Sequence, residues 1–232
     1  YFNTKLYTGN GGTQSITGVG FQSDWSWFKK RNGAADSSIM DAVRGVRKSL
    51  TSNNAEAEYT ETSGLSSWDS DGFSFDGAGF DYVNTNGDSF VAWNWKANGS
   101  GSANTAGSIN STVSVNTTAG FSISTFTTLS STISTVGHGL GVIPDMVIVK
   151  TRANSNGWFV YHKDVGNNKF LRLETTGAET TNAMWNDTTP TSSVFSINAN
   201  NLGASTSVAY CFAGKQGYSK FGSYVGNGNA DG

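Results

Sequence analysis

The sequence is short of charge. Only 14% of its 232 residues are Asp, Glu, Lys or Arg, against about 25% in an average globular chain. Its surface must therefore be polar through Ser, Thr, Asn and Gly. A net charge of −2 leaves no basic footprint for nucleic acid or for an anionic membrane surface. The single cysteine, Cys211, excludes an internal disulfide framework and a cysteine-based metal cluster. Two histidines, His138 and His162, fall short of a zinc ligand set. No apolar run approaches the roughly 20 residues of a membrane-spanning helix, so no membrane insertion is expected. Two prolines beside 29 glycines suit short strands joined by glycine turns and suit a helical bundle poorly. Aromatic residues, by contrast, are plentiful: they make up 12% and include seven tryptophans, a composition that excludes disorder.

The chain repeats itself. Gly18 to Glu58 aligns without gaps on Gly139 to Glu179, with about ten identities in about forty positions. Asp24, Lys29, Arg31, Gly45 and Glu58 fall on Asp145, Lys150, Arg152, Gly166 and Glu179. The similarity resumes where Gly72-Phe73-Ser74-Phe75 matches Val194-Phe195-Ser196-Ile197, and where Val91 to Trp95 matches Val208 to Phe212. A shorter echo links Leu6-Tyr7-Thr8-Gly9-Asn10-Gly11 to Ser223-Tyr224-Val225-Gly226-Asn227-Gly228. Two related units are expected, 1–115 and 116–217, with 218–232 reading as the start of a further repeat in a longer polypeptide.

The elements within each unit read as strands. Trp25 to Lys29 and Met146 to Lys150 are aromatic or β-branched runs opened by glycine turns. The second is apolar on both faces, which predicts a central strand covered on both sides. Val91, Trp93 and Trp95 alternate with Ala92 and Asn94, so the large residues are expected to face a core. Asp36 to Leu50 carries helical spacing, yet its aligned partner, Trp158 to Leu171, reads as strand–turn–strand, and strand is preferred for both. Turn signals every 8 to 15 residues predict an all-β chain of two antiparallel, jelly-roll-like β-sandwich units in tandem.

These strings resemble a known kind of module. Tyr7 to Gly11, Gly18-Val19-Gly20-Phe21-Gln22, Lys29-Lys30-Arg31 and Asp41 to Gly45 resemble repeat modules in tail-fibre-like structural proteins of marine bacteriophages. Gly137 to Gly141, Pro144 to Lys150 and Gly217 to Tyr224 look like the companion half. Ser23 departs from its counterpart Pro144, and Asn94 from Cys211. The resemblance implies a virion surface component outside the cell that works by binding or spacing, without catalysis. It also implies a homotrimer and a host surface glycan as partner, and carries over no catalytic or binding residue. A polysaccharide-degrading tail enzyme and a lectin-like module of a bacterial surface protein are the alternatives.

Candidate sites are few, and no cofactor is expected. Duplicated charges such as Asp24 and Asp145 read first as turn caps or strand-end ion pairs. Asp69-Ser70-Asp71-Gly72 has the start of a calcium loop without its later bidentate glutamate, a weak candidate set against an ordinary Asp-Gly turn. Glu56, Glu58 and Glu61 are the best acidic cluster for a glycosidase pair, but sit in a polar stretch that predicts solvated surface. An indole face suits the apolar face of a pyranose ring. Trp68 and Trp185 lie in polar loops at comparable places in the two units, so they are the expected exposed ligand-binding pair.

Overall fold

A computed structural model describes residues 1–79, 83–130 and 132–229. The expected all-β architecture is what forms. In the first unit β1 (Phe2–Thr8), β3 (Trp25–Lys30), β4 (Ser37–Asp41), β5 (Lys48–Thr51), β6 (Tyr59–Thr60) and β9 (Ser89–Trp95) make a large antiparallel sheet, ordered β1-β9-β3-β4-β5-β6. β2 (Thr13–Ile16), β7 (Leu65–Asp69) and β8 (Gly72–Asp76) make a small sheet, ordered β2-β8-β7. The pairing of β1 with β9 continues across the sandwich edge as that of β2 with β8, a jelly-roll-like wrap.

The second unit repeats this plan. β12 (Phe121–Thr128), β14 (Met146–Thr151), β15 (Phe159–His162), β16 (Lys169–Arg172), β17 (Thr180–Thr181) and β19 (Ser205–Phe212) stand where β1, β3, β4, β5, β6 and β9 stand. β13 (Ile133–Gly137) and β18 (Val194–Asn198) replace β2 and β8, and a 3-10 turn at Ala183–Trp185 occupies the place of β7. Two added strands, β10 (Ser102–Asn104) and β11 (Ser111–Asn116), extend this sheet beyond β12. β11 crosses position 115/116, where the sequence divides the units. Among the described residues, the corresponding edge in the first unit, that of β1, carries no further strand. The stretch from Asp36 to Leu50 is strand, turn and strand, as its repeat partner implied.

Three apolar clusters stack the four sheets in the order small, large, large, small. Phe28, Met40 and Ala92 from the first large sheet meet Leu65, Phe73 and Phe75 from its small sheet. Val147, Val149 and Ala209 meet Val136, Phe195 and Ile197 in the second unit. Between the large sheets, Trp25, Ile39 and Leu50 pack on Ile148, Val160, Val208 and Tyr210. Strand β14 is thus covered on both faces, Val147 and Val149 inward and Ile148 toward the other unit. Strand β9 behaves otherwise. Its small residue Ala92 faces the inner core, already filled by Phe28, Phe73 and Phe75. Trp93 and Trp95 lie on the outer face and are partly exposed, which corrects the reading of them as core.

The two departures between the repeats belong to one contact. Ser23, Ser26 and Asn94 are all 0% exposed. Asn94 Oδ1 accepts the Ser26 hydroxyl at 2.7 Å and the Ser23 hydroxyl at 3.3 Å. Pro144, Val147 and Cys211 stand in their places in the second unit, a polar triad exchanged for an apolar one. Asn94→Cys alone removes the shared acceptor and leaves the two hydroxyls only each other, at 2.7 Å, and the Trp25 carbonyl, at 3.2 Å, and should cost about 1–2 kcal/mol. Adding Ser26→Val should recover part of that loss, read as a urea midpoint; purely additive effects would refute the coupling.

Candidate functional site

The outer face of the first large sheet carries an aromatic patch. Register puts Phe2, Trp95 and Trp25 in one row, and Thr4, Trp93 and Trp27 in the next. Alternation on three adjacent strands aims all of them at the same side. Trp95 lies 4.5 Å from Phe2 and 4.5 Å from Trp25, and Trp27 stands edge-on to Trp93 at 6.0 Å. The Trp27 indole N–H donates to Ser52 Oγ at 2.9 Å, which fixes its ring plane. Trp25 is 1% exposed beneath the second unit, while Trp27, Trp93 and Trp95 remain partly open.

The repeat explains why this face is open. Trp93 corresponds to Tyr210 and Trp27 to Ile148. Tyr210 is 0% exposed; it packs 5.1 Å from Trp25 and donates its hydroxyl to Asp41 Oδ2 at 2.8 Å. The first unit therefore covers the middle of the second unit's face with β3 to β5. Its own middle, around Trp93, receives no such cover.

Two adjoining hollows result. One of about 470 Å³ is lined by Trp27, Trp93, Trp95, Lys29 and Ser37. The other, of about 310 Å³, runs between the units past Phe2, Trp25, Trp95, Phe121, Phe212 and Phe221. Lys29 is the one charged residue in either lining, and its Nζ is held by the Ala35 carbonyl at 2.5 Å. A face of fixed, uncharged indoles can stack flat apolar surfaces such as those of pyranose rings.

The expected exposed pair does not form. Trp185 is 1% exposed; the 3-10 turn tucks it against Tyr161 at 5.8 Å and its N–H donates to the Lys169 carbonyl at 2.9 Å. Trp68 sits on β7, is partly exposed and packs on the first-unit core. Polar neighbours in the sequence hid both packings. Asp69 accepts hydroxyls from Ser67 at 2.7 Å and Ser74 at 2.5 Å. Asp71 accepts the backbone N–H groups of Gly18 at 2.9 Å and Gly20 at 2.5 Å. Those bonds, from Gly20 first, hold the Asp71 carboxyl below its usual range. Both carboxylates tie turns together, and no group of three metal-binding side chains occurs among the described residues.

The acidic cluster is split, and only Glu56 lies on solvated surface, where it accepts the Tyr59 hydroxyl at 2.9 Å. Glu61 is 5% exposed. Glu58 joins the two units: Arg152 donates Nε and Nη2 to it at 2.8 Å each, and Arg44 donates Nη1 at 3.0 Å. Burial raises its pKa, but the bonds from Arg152 and the charge of Arg44 outweigh this and hold it below the ordinary glutamate value. An ionised, doubly paired carboxylate is ill suited to deliver a proton.

The duplicated charges also bind the fold. Asp24 Oδ2 accepts the Ala97 N–H at 2.7 Å, as Asp145 Oδ2 accepts that of Gly214 at 2.5 Å. Lys150, like Lys29, donates to nearby main-chain carbonyls, that of Thr151 at the end of β14 at 2.8 Å and that of Asn154 in the turn that follows at 3.3 Å. Its ammonium is pushed down to about 8 by burial.

Comparison with curated proteins and with solved structures gives no match. A family model covering residues 1–232 does match, and the chain belongs to that family, a domain of unknown function (DUF7483).

Proposed function

We propose that the chain is a recognition segment of a phage tail fibre or another virion surface protein, holding host-surface glycan against Trp27, Trp93 and Trp95. One observation carries this reading: the same strand position is buried as Tyr210 in one unit and left open as Trp93 in the other. An aromatic side chain left uncovered on a packed sheet loses the burial that stabilises its counterpart, which suits a role in binding. The virion context rests on the resemblance of the repeat strings, and so does a homotrimer, for which light scattering should give three times the chain mass.

The test is titration of the chain with oligosaccharides from host surface polysaccharides, followed by tryptophan fluorescence. Trp93→Ala should weaken binding about tenfold or more, equal to about 1.4 kcal/mol, with the urea midpoint nearly unchanged. Binding that survives Trp93→Ala undiminished, or no binding across the host's surface polysaccharides, would sink the proposal. Release of new reducing ends during the same titrations would favour the tail-enzyme alternative.

A further inference from the structure

The repeat that sets Trp93 against Tyr210 sets two further positions against each other. The ladder between β3 and β4 places Lys29 opposite Ser37. The repeat offset carries this pair onto Lys150 and Trp158. Extending the pairing of Val149 with Phe159 by one step places those two opposite each other as well. By alternation all four stand on the outer faces of the large sheets, beside Trp27 in one unit and Ile148 in the other.

In the second unit both positions are sealed. Lys150 and Trp158 are each 0% exposed. The Trp158 ring lies over that of Tyr210, with 6.5 Å between centroids and 25° between planes. Its N–H donates to the Thr51 carbonyl at 2.9 Å and the Asn54 carbonyl at 3.2 Å.

In the first unit a serine stands where that indole stands. Ser37 leaves the hollow of about 470 Å³ beside Trp27, Trp93 and Trp95, a volume within the usual range of a small-ligand site. Lys29 lines the same hollow and is partly exposed. An ammonium carries three donors, and the bond that Lys29 makes goes to a neutral acceptor, the Ala35 carbonyl. Among the described residues no carboxylate pairs with it. Asp36, next to Ser37, accepts Asn53 Nδ2 at 2.6 Å.

We propose that the hollow over Ser37 holds an acidic pyranose. Its ring takes the place that Trp158 fills in the second unit, against Trp93, and its carboxylate or sulfate meets the Lys29 ammonium. This rests on the glycan reading above and narrows it to acidic polysaccharide. Indole stacking alone accepts neutral and charged sugars alike; an ammonium without a carboxylate partner adds the preference for charge.

The probes are oligomers of glucuronate, galacturonate and mannuronate, each beside its carboxyl-reduced counterpart, and sulfated galactan oligomers beside their desulfated ones. The series that binds identifies the charged group. At least one acidic oligomer should bind about fivefold or more tightly than its neutral counterpart, read by tryptophan fluorescence. The difference should shrink at about 1 M salt, where the screening length falls to about 3 Å. Lys29→Met should make the two affinities equal, and Lys29→Arg should keep them apart. Ser37→Trp should abolish binding by filling the hollow, with a urea midpoint no lower than that of the wild type. Neutral oligomers that bind as tightly as acidic ones, a preference that survives Lys29→Met, or undiminished binding by Ser37→Trp would overturn the proposal, as would no binding of any probe. If it fails while Trp93→Ala still weakens binding of host oligosaccharides, the glycan reading stands without it.

Discussion

Replacing Trp25 with Ala lowers the stability of the chain by about 3–5 kcal/mol, the range for removing a fully buried aromatic. Trp25 lies outside the cores of both sandwiches. It packs between them, against Trp95 at 4.5 Å, Tyr210 at 5.1 Å and Phe121 at 5.8 Å. The loss therefore falls on the contact between the units, and urea unfolding of the variant should separate into two transitions. Trp185→Ala is the contrast, because Trp185 belongs to the core of the second unit alone. It should lower the second unit without uncoupling the pair. A loss below about 1 kcal/mol for Trp25→Ala would mean that the units hold together by other means.

Glu58→Ala should be comparably damaging, at about 3 kcal/mol, since removing one member of a buried ion network strands the others. Arg44 has no exposed side-chain surface and would keep only Asp41, at 2.5 Å, and the Ile39 carbonyl, at 2.9 Å. Arg152, with 23% of its side chain exposed, can turn to water and loses less. The pH dependence follows from the lowered carboxyl. A group whose folded pKa lies below its unfolded one contributes its full stability above the unfolded value. That contribution fades as pH falls through the folded value. The gap between the wild type and Glu58→Gln should thus be widest above about pH 5 and should close in acid. Urea midpoints across that range check the sign, and a gap constant with pH would remove Glu58 from the network.

Much of this architecture was legible before any coordinates. The offset that aligns Gly18 to Glu58 with Gly139 to Glu179 carries β3 to β6 onto β14 to β17. It also decided between helix and strand for Asp36 to Leu50, because an aligned partner that reads as strand–turn–strand outweighs a local 3.6-residue spacing. The site was less legible. Trp185 sits among Asn, Asp and Thr in the sequence, yet left-handed backbone at Asn186 and Asp187 closes a turn that drives its ring inward. The Glu58 network was hidden too, since its partners Arg44 and Arg152 come from different units.

The sequence by itself determined that runs such as β3, β9, β14 and β19 are strands, that they recur in two like units, and which residues of β9 share a face, since period-two alternation is a local property of the extended chain. Which of those faces became core was decided only in three dimensions. In β9 the inner space was already filled by three phenylalanines, so Ala92 turned inward and the tryptophans outward. The offset packing of the large sheets then covered Tyr210 and left Trp93 open, because burial depends on the surface that arrives opposite a strand, and no local pattern encodes that surface.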